Sequence, residues 1–93
     1  MKIFEIGQAV QTRGIAEECK NNEKFAKEIE EAFKKYIQCD WGDTCKSDSE
    51  MNDNAVENNN DRIVAKYITS KGDVFIITEW DRSYTTIMFA YEY

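Results

Sequence analysis

The sequence predicts an α+β domain, and three observations predict it. Large apolar side chains recur every four positions from Phe25 to Ile37, the apolar period falls to two after Arg62, and the segments joining the period-two runs are too short to cross a sheet. The expected architecture is a three-stranded antiparallel sheet, four-stranded if the N-terminal segment joins it. One amphipathic helix packs on the sheet, with one or two short additional helices. At 93 residues the chain has room for one domain, 1–93, which buries roughly 60–70% of its unfolded surface in a single core.

Taken in order, Ile3-Phe4-Glu5-Ile6 reads as a short edge strand ending at Gly7. Val10, Ile15, Ala16 and Cys19 are loosely helical but interrupted by Gly14, which places a short helix from Gly14 to Lys20, stopped near Asn21-Asn22. The clearest element follows. Phe25, Ile29, Phe33 and Ile37 form a stripe widened by Ala26, Ala32 and Tyr36, and Asn22 is a good N-cap. Glu23–Lys27, Glu30–Lys34 and Glu31–Lys35 place acid four residues before base on the opposite, solvated face. The stripe is read as core, with no binding role.

Cys39-Asp40-Trp41-Gly42-Asp43 breaks that helix. Ser47-Asp48-Ser49-Glu50 has capping-box spacing and starts a helix running from Asp48 to Glu57, which Asn58-Asn59-Asn60 ends. With only Met51, Ala55 and Val56 to bury, this helix should lie on the surface and display Asp48, Glu50, Asp53 and Glu57. Three strands come next: Ile63 to Ile68, Val74 to Trp80 and Tyr84 to Ala90, joined by turns at Ser70–Asp73 and Asp81–Ser83. The middle strand is apolar on both faces. The Phe25–Ile37 helix covers one, and the N-terminal segment or a second copy of the chain covers part of the other.

Charge is unevenly placed. Residues Asp40 to Asp61 hold seven carboxylates (Asp40, Asp43, Asp48, Glu50, Asp53, Glu57 and Asp61) against the single cation Lys46, a balance of −6. The rest of the chain carries eleven acidic and eleven basic side chains and is neutral. A concentrated field steers a partner from a distance. The same balance disfavours anionic membranes and direct phosphate binding, which needs Lys and Arg to displace counterions. No apolar run approaches the ~20 residues of a membrane span, and the opening Met1-Lys2-Ile3-Phe4-Glu5 lacks an apolar signal core. The expectation is a soluble, cytoplasmic protein.

Cys19, Cys39 and Cys45, an odd number without an export signal, read as free thiols. Five residues separate Cys39 from Cys45 and there is no histidine, so no structural zinc is expected, and the usual general base near neutral pH is missing. The acidic stretch also lacks the ligand order of a calcium loop. We expect no cofactor, no metal and no enzymatic activity.

Trp41, between Asp40 and Asp43, reads first as a core plug packing back on the preceding helix and second as an interface anchor. The acidic stretch either mimics a phosphate backbone, filling a Lys/Arg groove, or only confers solubility. Glu79, Asp81, Arg82, Ser83, Thr85 and Thr86 cluster about one turn. They form either a polar site in which Arg82 engages a partner, or a self-satisfied turn in which Arg82 pairs with Glu79 or Asp61. Partner-binding candidates are therefore Asp40, Trp41, Asp43, Asp48, Glu50, Asp53, Glu57, Asp61, Glu79, Asp81 and Arg82.

The blocks Thr12-Arg13-Gly14, Asp40-Trp41-Gly42-Asp43, Asn52-Asp53, Asp61-Arg62-Ile63, Ile76-Ile77-Thr78-Glu79, Asp81-Arg82-Ser83, Thr85-Thr86 and Glu92-Tyr93 come in this order over nearly the whole chain. In this it resembles a family of small proteins of bacterial plasmids, conjugative elements and phages, the plasmid-related proteins. Ile76 to Thr86 is the most specific part. That family typically has proline shortly before the closing Glu-Tyr, where this chain has Phe89-Ala90-Tyr91. The resemblance implies a mobile-element accessory protein with no established reaction. By association with other small acidic proteins of such elements, it implies an inhibitor of host defence such as an anti-CRISPR protein. The partner would be a protein with a basic nucleic-acid-binding groove, with no duplex DNA bound directly. The alternatives are a nucleic-acid-binding regulator using Arg13, Arg62, Arg82 and Lys66, and a small enzyme with a carboxylate site at Glu79 and Asp81.

Overall fold

The structure is a computed structural model and describes residues 4–93. The element order is β1 (Gln8–Gln11), α1 (Arg13–Asn21), α2 (Glu23–Ile37), α3 (Lys46–Asn58), β2 (Ile63–Thr69), β3 (Gly72–Thr78) and β4 (Tyr84–Phe89), closed by a short 3-10 turn, Ala90–Glu92. The fold is α+β, with a mixed sheet of strand order β1-β4-β3-β2. The β2–β3–β4 meander is antiparallel as expected.

The fourth strand corrects the sequence reading in two respects. It is Gln8–Gln11 rather than the Ile3–Ile6 run, and it lies parallel to β4, with Ala9 opposite Thr85 and Val10 opposite Thr86. Of the expected strand, Ile3 lies outside the described residues and Phe4–Ile6 is not β-structure. Phe4 instead packs its ring 5.5 Å from Tyr36 and 6.0 Å from Trp41. Gly7, at φ 64°, lets the chain pass the β3–β4 turn, where a Cβ would fall 2.3 Å from the Arg82 carbonyl oxygen.

Three cross-strand rows, Tyr67–Val74–Phe89, Ala65–Ile76–Ile87 and Ile63–Thr78–Thr85, form the buried face. Helices α1 and α2 cover it. They share one residue as terminator and cap: Asn22 ends α1, and its side chain accepts the Phe25 amide at 3.1 Å to start α2. The buried residues of α2 are Phe25, Ile29, Ala32 and Tyr36. Phe33 is half-buried against the core and Ile37 is 39% exposed. A strict four-residue repeat drifts about 40° per step on a 3.6-residue helix, so the stripe walks out of the core while alternating steps of four and three stay in it. Of the three expected i,i+4 pairs, Glu30–Lys34 forms, at 3.3 Å.

A polar thread crosses this core. Thr85 Oγ1 donates to the Ile6 carbonyl at 2.6 Å, Thr78 and Thr85 hydroxyls lie 2.7 Å apart, and Tyr36 Oη lies 2.7 Å from Thr78. Each hydroxyl has one proton, so the order follows: Tyr36 donates to Thr78, Thr78 to Thr85, and Thr85 to Ile6. The second face of the sheet is partly covered by Tyr93, whose ring stands 5.5 Å from Phe75 and lies under the Arg62 guanidinium at 5.6 Å.

Phe25, fully buried and stacked on Phe89, should cost about 3–5 kcal/mol when cut to Ala, whereas Ile37→Ala should cost under about 1 kcal/mol at its exposed site. Equal urea midpoints for the two variants would refute the helix phase. Burial also pushes the Tyr36 phenol well above the ordinary tyrosine value, and does the same at Tyr67, where Tyr36, Asp40 and Asp43 add repulsion. A folded pKa raised above the unfolded one gives stability that is complete below the unfolded value, about 10, and declines as pH rises past it. Urea midpoints should therefore hold to about pH 9.5 and fall beyond. Tyr67→Phe should start lower, having lost the bond to the Asp40 carbonyl (2.7 Å), but fall less steeply. Parallel curves would count against it.

Candidate protein-interaction surface

The acidic segment is not a detached tail. It runs along the outer edge of β2 and satisfies the backbone groups that an edge strand leaves bare. Asn52 makes a two-bond clamp on Val64, donating to its carbonyl at 2.9 Å and accepting its amide at 3.2 Å. Thr44 Oγ1 accepts the Lys66 amide at 2.8 Å, the Asp43 amide donates to the Lys66 carbonyl, and the Asp43 carboxylate accepts the Ile68 amide at 2.8 Å. Gly42 approaches so closely that a Cβ would sit 2.4 Å from the Tyr67 ring.

This anchoring explains why α3 starts early. The chain enters it from Thr44, pinned to β2, so the helix begins at Lys46 with Cys45 as cap, and no side-chain cap bond forms. The Ser47–Glu50 capping box is not used. At the other end the expectation holds: Asn59, at φ 50°, turns the chain, its amide bonding to Val56 and the Asn60 amide to Ala55.

The seven carboxylates divide by what they touch. Asp53 accepts the Trp41 indole proton at 2.9 Å, and Asp40 accepts the Gly42 amide at 3.1 Å. Asp43 seals the sheet edge, and Asp61, at φ 60°, accepts the Arg62 amide. Asp48, Glu50 and Glu57 are exposed and make no hydrogen bond or ion pair among the described residues. At about 100° per residue, Glu50, Asp53 and Glu57 fall within roughly 60° of one another on α3. Asp48 lies on the opposite flank with Met51, beside Arg62 and Val64. The expected four-carboxylate display is thus three on one face and one apart.

Trp41 is buried, 5% exposed, against Tyr36 at 5.5 Å. Its side chain supports the loop from behind and offers no surface.

Arg82 departs most from its expected partners. It sits in the β3–β4 turn at φ 62° and is 6% exposed. Its guanidinium donates to backbone carbonyls alone: Asp61 (2.6 Å), Ala55 (2.9 Å), Asn60 (3.2 Å), Glu79 and Trp80 (both 3.3 Å). The pairing expected with Glu79 or Asp61 therefore forms through their carbonyls and not their carboxylates. No basic residue lies in the last turn of α3, where a cation would complement the helix dipole. Arg82 supplies it from another part of the chain. The only signal in the sequence was the absence of a cation there. Asp81, beside it, accepts the Ser83 amide and hydroxyl at 3.0 and 2.6 Å, which holds its carboxyl below the usual range. Glu79 is half-buried, its backbone tied to Tyr84 and Arg82. The turn is occupied with itself.

A groove of about 340 Å³ lies between α2 and β2, lined by Lys24, Lys27, Lys35, Glu28, Glu31 and Asp43. Glu28 is held by the Ser70 amide and hydroxyl. Neither Glu79 nor Asp81 lines it. Among the described residues no three Cys, Asp or Glu side chains converge as a cation site requires, and no helix is long and apolar enough to cross a membrane. No family model matches this chain, and neither curated proteins nor solved structures yield a match.

Arg82→Met should strip the donors from the end of α3. Each buried carbonyl left unpaired costs roughly 1–3 kcal/mol, so a loss of at least about 3 kcal/mol is expected. Arg82→Lys, with the charge but not the planar fork, should fall between the two. An unchanged melting midpoint in Arg82→Met would show that water satisfies these carbonyls instead.

Proposed function

We propose that the chain is a mobile-element accessory protein acting by stoichiometric protein binding. In its sharpest form it inhibits a nucleic-acid-guided host defence complex, of the anti-CRISPR kind, by presenting acid to a basic groove. The observation that carries the reading is the set of unpartnered carboxylates, Glu50 and Glu57 with Asp48 on the flank, on a helix fixed to the sheet edge. Their desolvation by a Lys/Arg groove breaks no internal bond. Fixed position matters too, since a field from a rigid helix arrives with its geometry already set and little ordering cost. Asp40, Asp53 and Asp61 add their charge although their oxygens are partly occupied. The nucleic-acid-binding regulator has less support. Of its arginines, Arg82 is consumed by carbonyls, Arg13 pairs with Glu17 at 3.0 Å and Arg62 stacks on Tyr93.

Asp48→Asn, Glu50→Gln and Glu57→Gln together remove three charges and leave Asp43 and Asp53, which hold the loop, untouched. The triple variant should keep the parent's melting midpoint within about 0.5 kcal/mol per site. A tagged parent should capture a basic partner from host lysate that the variant does not hold at low salt. With that partner purified, its association rate should fall at least about tenfold, because steering acts on the encounter, and the gap should close as salt rises. Identical capture and identical rates at low salt would reduce the acid to a solvated face.

A further inference from the structure

The two edges of the sheet are treated differently. At β2, Asn52, Thr44 and Asp43 occupy the outward amides and carbonyls. At β1 the ladder amides of Gln8 and Thr12 turn inward, to Ser83 at 3.1 Å and Ile87 at 3.0 Å. Backbone groups alternate along a strand, so Ala9 and Gln11 direct theirs outward, and no described residue meets them. All four β1 residues are exposed. They carry no charge, and none of the usual edge guards, a lysine, a proline or a bulge, is present.

We propose that β1 is a pairing edge for a second copy of this chain, the two β1 strands meeting antiparallel about a two-fold axis at Val10. The register follows from the geometry. A two-fold perpendicular to the sheet keeps each face on its own side, so partners must share parity along the strand. Centring on Val10 sets Ala9 opposite Gln11 of the other copy, which are the residues with free outward groups, and so makes four backbone hydrogen bonds. Val10, 37% exposed, then meets its own counterpart. On the other face, a shallow cavity of about 170 Å³ floored by Ile87 lies beside Ala9 and Gln11, where the Gln11 and Ala9 side chains of the other copy come opposite.

The self-matching register selects a second copy as occupant, and charge selects this edge over β2. The strand order puts β1 at the far side of the sheet from β2, and hence from the −6 segment that covers β2. Two copies meeting at β1 keep their acidic segments at the outer ends of an eight-stranded sheet, whereas any approach through β2 opposes like charge. This inference is independent of the acidic-surface reading, and either can fail alone.

Sedimentation of the full chain from about 10 μM to 1 mM should show a reversible monomer–dimer equilibrium. Ala9→Pro removes an outward amide that the edge ladder does not use; it should keep the parent's circular dichroism and be monomeric throughout. Val10→Cys, oxidised gently, should give a dimer linked through position 10, since directly opposed residues of a non-hydrogen-bonded pair lie about 4.5 Å apart. Gln8→Cys should not link to itself, its counterpart being ~13 Å away along the strand. A parent that stays monomeric at 1 mM, equal linkage at positions 8 and 10, or an Ala9→Pro variant that folds and still dimerises would each overturn the proposal.

Discussion

The Arg82 guanidinium ties three parts of the chain together. It reaches Ala55 in α3, Asn60 and Asp61 in the loop beyond it, and Glu79 and Trp80 in its own turn. A buried cation without a carboxylate is costly unless oriented dipoles replace the water it loses. Here they do, and one of them, the Ala55 carbonyl, belongs to the last turn of α3, its negative end. That end needs a cation. The last turn of α3 carries Glu57 and no base, so the charge at that end opposes the helix dipole. Arg82 therefore makes an acidic helix tenable at this place, and its left-handed backbone is the local cost of aiming the side chain there. Its Nε, buried without a hydrogen bond, marks the limit of what this geometry satisfies.

Much of the fold was legible in the sequence because it rests on local rules. The cap at Asn22, the body of α2, the left-handed Asn59 and the two hairpin turns each follow from residues within a few positions. What was not legible depends on distant partners. Gln-Ala-Val-Gln has no strong strand signature and becomes a strand because β4 offers it an edge, a pairing across more than seventy residues. The Ser47–Glu50 box had the right spacing, but tertiary anchoring of Thr44 on β2 fixed the helix start first. Ile37 matched the stripe by count and missed the core by phase.

The candidate surface shows the same division. Composition revealed the segment's charge and its concentration. It did not reveal that Asp43, Asp53 and Asp40 are committed to backbone and indole donors, because a carboxylate holding an edge amide is the same letter as one facing water. Trp41 follows the core-plug expectation, whereas the partners of Arg82 are carbonyls that no local pattern marks. A polar turn residue such as Arg82 looks solvated until the chain folds Asn60 and Ala55 around it.

Three explanations compete for the acidic segment, and the geometry weighs them unequally. Edge protection accounts for Asp43, Thr44 and Asn52, yet it needs polar atoms at those three positions and not charge. Solubility needs net charge but is indifferent to its location, and scattered carboxylates would serve it without crowding Glu50, Asp53 and Glu57 onto one face of a helix with no base in its last turn. Crowding of that kind raises self-repulsion and calls for a buried arginine from another element. Neither explanation accounts for that cost. A surface whose negative potential is the functional quantity does account for it, because field strength grows with the number of like charges held close together, and the segment's attachment to β2 keeps them there.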